Sequence, residues 1–75
     1  MLYAAEVISL MAAFPGRQFK AQQICRYVCP KPKDQKERSR VRIGVHRVLR
    51  ELRAAGSVAV GRASMSGGYN TYAWR

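Results

Sequence analysis

The chain has 75 residues, 48% of them hydrophobic, which suits one small domain over residues 1–75 and excludes wholesale disorder. Most of so small an interior is spent holding the elements together, so a deep catalytic pocket is not expected, and no apolar stretch approaches the ~20 residues of a membrane helix. Fourteen Lys and Arg against four Asp and Glu give a net charge of +10; self-repulsion of that size points to a polyanionic partner, nucleic acid before others.

The first residues, Met-Leu-Tyr-Ala-Ala-Glu, have no basic start, and Glu6 interrupts the apolar run. No secretory signal is expected there. Tyr3, Val7, Leu10, Met11 and Phe14 recur at helical spacing and predict a first helix over 2–13, ended by Pro15-Gly16. Leu2, Tyr3 and Met11 on it suit either the core or a two-fold contact between copies. Gln18-Phe19 has room for a very short strand, with Phe19 plugging the core.

Ala21, Ile24, Cys25 and Val28 form the stripe of a second helix over 20–28, closed by Pro30. Gln22, Gln23 and Arg26 face away from that stripe. Cys25 and Cys29 are too few for a disulfide framework and fit a reducing cytoplasm. Together with His46 they lack zinc-finger spacing, and Cys25 lies on the apolar stripe, so structural thiols are expected and no metal or cofactor. Cys29, at the helix end, is expected to be the more reactive of the two.

A polar connector, Cys-Pro-Lys-Pro-Lys-Asp-Gln-Lys, covers 29–36. Asp34 and Glu37 have the spacing of a capping box, which allows a helix start near 35; Ser39 is a later candidate cap. Val41, Val45, Val48, Leu49 and Leu52 form the apolar stripe of a third helix over 38–55. Gly44 weakens that helix, and Gly56 suits its left-handed end. Glu51 stands four residues after Arg47, as an ion pair would.

The period then changes. Val58 and Val60 alternate, as do Tyr72 and Trp74, around a polar, glycine-rich stretch. A hairpin with a long tip is expected. Tyr72 and Trp74 suit packing on the core, or stacking on bases.

The order of helix, helix, helix and basic-tipped hairpin resembles the winged helix-turn-helix DNA-binding family. The resemblance is carried by Phe19-Lys-Ala-Gln-Gln-Ile-Cys-Arg-Tyr-Val28 and by Val41-Arg-Ile-Gly-Val-His-Arg-Val-Leu-Arg-Glu-Leu-Arg-Ala-Ala-Gly56. The closing Val58-Ala-Val-Gly-Arg62 and Tyr72-Ala-Trp74 are similar to wing strands. It spans residues 2–75. The connector is longer than the family's usual tight turn. The resemblance implies an α+β fold of three helices followed by a C-terminal β-hairpin wing. It further implies a small bacterial or phage-type transcription regulator of the cytoplasm or nucleoid that binds double-stranded DNA.

At about 100° per residue, Ser39, Ile43, His46, Arg47 and Arg50 lie opposite the core stripe of the third helix. Ser39, Ile43, His46 and Arg47 are the candidate base-facing residues: Ile43 suits a thymine methyl and Arg47 a guanine. Ile43 equally suits a protein partner. Candidates for phosphate are Lys31, Lys33, Lys36, Arg38, Arg40, Arg42 and Arg50, with Arg62, Tyr69 and Asn70 around the hairpin tip. Arg53, late on the helix, belongs with them, and Ser64 and Ser66 have the short side chains such a tip uses. No Ser-base-acid set and no carboxylate pair is present, so an enzyme is not expected. Two other readings fit the charge: a winged helix on RNA or the ribosome, gripping A-form shape and phosphate, and an adaptor that docks on a second regulatory protein.

Overall fold

A computed structural model describes residues 2–62 and 70–75, and of Arg62 the backbone alone. Among these, three helices and three strands follow in the order α1 (Ala4–Ala13), β1 (Phe19–Lys20), α2 (Ala21–Val28), α3 (Gln35–Ala54), β2 (Val58–Arg62) and β3 (Asn70–Trp74). The class is α+β, with one antiparallel sheet in the order β1-β3-β2.

α1 buries Val7 and Met11, one turn apart, against the core. It begins at Ala4 rather than at residue 2, because Tyr3 adopts the left-handed conformation with φ 70. A non-glycine residue there costs roughly 1–2 kcal/mol. The gain is the position of its ring, which lies across Gly44 of α3. Met11 and Tyr3 therefore pack within the chain, which leaves Leu2 as the exposed member of the trio considered for a two-fold contact. Phe14 is also outside the core, although it continues the stripe. The guanidinium of Arg17 sits 5.4 Å from the ring centres of both Phe14 and Phe19, a cation–π arrangement that covers an otherwise exposed ring.

The first connection turns at Gly16, whose φ of 83 suits glycine. Its N–H donates to the Trp74 carbonyl at 2.9 Å. The short strand falls on Phe19–Lys20, one residue later than expected, and pairs Phe19 with Tyr72. α2 follows at once and buries Ile24; its entry is held by the Lys20 N–H, which donates to Gln23 Oε1 at 2.8 Å.

α3 starts at Gln35 because Asp34 Oδ1 accepts the Glu37 N–H at 2.9 Å. That bond satisfies one of the orphan donors of a first turn. Val41, Val45, Val48 and Leu49 are buried along α3, and Leu52 packs on the same cluster. The helix ends as the sequence predicts. Gly56 is left-handed, its N–H donates to the Arg53 carbonyl, and the Ser57 N–H donates to that of Leu52. This is the paired bonding of a Schellman end. No ion pair joins Glu51 to Arg47 among the described residues; both side chains extend into water, where such a pair gains little.

In the hairpin Val58 pairs with Trp74 and Val60 with Tyr72. These four share one face by the two-residue period of a strand, and Val58 closes the core beneath it. Tyr72 and Trp74 are partly buried against that core, which decides for packing over open stacking surfaces.

Candidate nucleic-acid interface

Burial of one stripe of α3 turns the opposite stripe to solvent. Ser39, Arg40, Ile43, Arg47 and Arg50 are all exposed there, and Ile43 shows 63% of its surface. A shallow hollow beside Ile43 is lined by Gln35, Lys36, Ser39 and Arg40. Among its lining residues are two cations, two neutral polar side chains and one branched apolar one, a set able to meet both phosphate and base edges. Asp34 and Glu37, the acids nearest in sequence, take up a cap and a thiol contact.

His46 is placed differently from its expected companions. It is exposed, but it lines two hollows on the flank of α3 that faces α2 and the sheet. The first, about 300 Å³, also includes Lys20, Gln22, Asn70 and Tyr72. The second, about 180 Å³, includes Arg50, Arg53, Val60, Asn70 and Tyr72. The helical angle accounts for this, since residue 46 lies about 60° round from residue 43.

Arg38 and Arg42, candidates for phosphate, lie off the outward stripe. Arg38 lines a cleft of about 260 Å³ against α2, together with Arg26, Cys25, Cys29, Pro30 and Pro32. Arg42 acts electrostatically on the Cys25 thiol. The connector that closes this cleft is anchored. Cys29 Sγ donates to Glu37 Oε1 at 3.4 Å, so the Glu37 carboxylate holds a thiol instead of returning to the Asp34 N–H as a full capping box would. Lys31, Lys33 and Lys36 project from the connector and the first turn of α3, all exposed.

Both thiols are pushed above the ordinary cysteine range. Burial does most of this at Cys25, opposed by the Arg42 guanidinium. At Cys29 partial desolvation comes first, followed by the hydrogen bond to Glu37 and its negative charge. Both cysteines are free of disulfides and partly buried; Cys29, expected to be the more reactive, is held by its carboxylate partner. Among the described residues no group of three His, Cys, Asp or Glu is arranged to hold a metal ion. None of their helices is long and apolar enough to cross a membrane.

At the hairpin, Asn70 is exposed at the start of β3, paired in register with Arg62. The Arg62 side chain and residues Ser64, Ser66 and Tyr69, expected at the tip, lie outside the described residues. Sequence reasoning assigned no role to Lys20 or Gln22 at this surface, although the register of β1 and β3 brings them beside α3 together with Tyr72. Comparison with protein families, curated proteins and solved structures finds no match for this chain.

Proposed function

We propose that this protein is a winged-helix module that binds double-stranded DNA and serves as a small transcription regulator. The observation that carries the reading is the outward stripe of α3. An amphipathic helix of twenty residues buries its valines and presents Ser39, Ile43, Arg47 and Arg50 to solvent. A helix is the element that a B-form major groove admits. Support also comes from the order of elements, since three helices are followed by a two-stranded hairpin, the order on which the resemblance rests.

In this reading the middle of α3, from Ser39 to Arg47, enters the groove. Arg47 donates to guanine and Ile43 meets a thymine methyl. Lys31, Lys33 and Lys36, at the connector and the first turn, hold phosphate. Contacts of this kind fix register and supply affinity without reading sequence. The role is binding rather than catalysis, and the partner is duplex DNA within a cell rather than a membrane.

The test is an unbiased selection of bound duplexes from a random pool. A recovered consensus of a few base pairs, weakened by Arg47→Ala, is the expected result. Recovery of random sequence would remove the base-reading role of α3. A strong preference for duplex RNA would replace DNA as the partner.

A further inference from the structure

The two hollows lined by His46 lie side by side, with His46, Asn70 and Tyr72 common to both; taken together they are called the trough. It runs from the start of α2 across His46 to Arg50 and Arg53. Four parts of the chain build it: the β1–α2 junction, the C-terminal half of α3, Val60 of β2 and the start of β3. Guanidinium, amide, phenol and imidazole groups all offer donors, and no Asp or Glu is among the described residues that line it.

From this we infer that the trough is a seat for one phosphodiester strand, in which His46 and Arg53 grip backbone phosphates and His46 does not read bases. The inference rests on the nucleic-acid reading and adds a division of labour to it. The hollow at Ile43, with Ser39 and Arg40, belongs to base recognition at one end of α3. The trough belongs to the backbone at the other end. The chemistry is that of an extended oligoanion rather than a single ion, because the cations are spread along the helix. Residues 46 and 53 are about two helical turns apart, close to 10 Å. Arg50 lies between them on the same side, so successive phosphates meet successive donors. A guanidinium can engage phosphate through two parallel hydrogen bonds.

The experiment uses the intact protein in two arms. In the first, inorganic tripolyphosphate is titrated and amide resonances are followed by NMR, with sulfate at matched ionic strength for comparison. The expected result is a saturable, concerted shift of Gln22, His46, Asn70 and Tyr72, much weaker with sulfate. A His46→Gln, Arg53→Gln variant, checked for an unchanged thermal melt, is expected to bind tripolyphosphate about tenfold more weakly. Shifts centred on Lys31–Arg42, or unchanged affinity in the variant, would overturn the inference.

In the second arm the same variant is measured on a preferred duplex and on a random one. Equal loss on both, with a salt slope lower by about 0.9 for each phosphate released, is the expected outcome. Loss on the preferred duplex alone would make His46 a base-reading residue and overturn the inference. A duplex that binds nowhere overturns the DNA reading instead, and the tripolyphosphate arm then decides the trough by itself.

Discussion

Gly44 sits in the middle of α3, where glycine costs about 1 kcal/mol against alanine. Its neighbour explains it: a Cβ added there would lie 2.6 Å from Cδ2 of Tyr3 and 2.7 Å from Cε2. Forcing a methyl against a packed ring costs roughly 1–3 kcal/mol. We expect Gly44→Ala to destabilise the protein by about 1 kcal/mol in chemical denaturation, the overpacking outweighing the gain in helix propensity. In a Tyr3→Ala background the same change is expected to stabilise it by about 1 kcal/mol; equal effects in both backgrounds would show that the ring and the glycine are not coupled. A second pair of residues separates reading from holding. Arg47→Ala is expected to cost about 1–3 kcal/mol on a preferred duplex and to relax its selectivity, whereas Lys31→Ala weakens all duplexes alike. Binding curves on matched and scrambled duplexes measure this, and identical losses for the two variants would contradict the assignment of Arg47. The thiols give a third expectation at this scale. Because both pKa values are raised in the fold, the protonated thiols favour the folded state. That contribution is present below the titration of an unfolded cysteine, near pH 8.5, and is lost as pH climbs through the folded values. Stability on the alkaline side should therefore fall more steeply in the native chain than in a Cys25→Ala, Cys29→Ser variant. Parallel pH profiles would show that the thiols are not linked to folding.

At the scale of elements, α3 carries the fold. Leu49 is 1% exposed and belongs to the cluster of Ile24, Met11 and Val45. Leu49→Ala is expected to cost about 2–5 kcal/mol, close to all that a domain of this size has. Circular dichroism should find the variant largely unfolded at room temperature, and a cooperative melt near that of the native chain would contradict the core assignment. The same helix was the most legible part of the sequence. Four of its five stripe residues are buried and Gly56 ends it, because an amphipathic period and a left-handed cap are local signals. The two strands of the hairpin are legible in the same way, from alternation, whereas the pairing of Val58 with Trp74 is not. Other features arise from tertiary contact and leave no local pattern. Two residues are too few to show a strand period, so the short strand is expected one residue early, and its pairing with β3 fixes it at Phe19–Lys20. Tyr3 leaves its helix to cover Gly44. Glu37 has capping spacing, yet its carboxylate is drawn to Cys29. His46 was grouped with Ile43 because both lie opposite the core stripe, and the neighbours that decide its environment come from α2 and β3.

The whole molecule carries +10 on 75 residues. Nine of its Lys and Arg fall within residues 31–53, against three acids, so the basic charge follows the connector and α3. The fold turns this run into surface by burying only the valine and leucine stripe, and it leaves cations on both the outward face and the trough. Charge arranged in this way attracts a polyanion over long range, and in the proposed function Ile43 and Arg47 then choose among sequences at contact. The measurement that tests the account most directly is competition between duplex DNA and duplex RNA of the same sequence, repeated over a range of salt. If about 5–7 phosphates are engaged, the logarithm of affinity for DNA should fall against the logarithm of salt with a slope of roughly −5 to −6. DNA should also displace RNA, because the deep, narrow major groove of an A-form duplex does not admit α3. A flat salt dependence, or RNA displacing DNA, would contradict it.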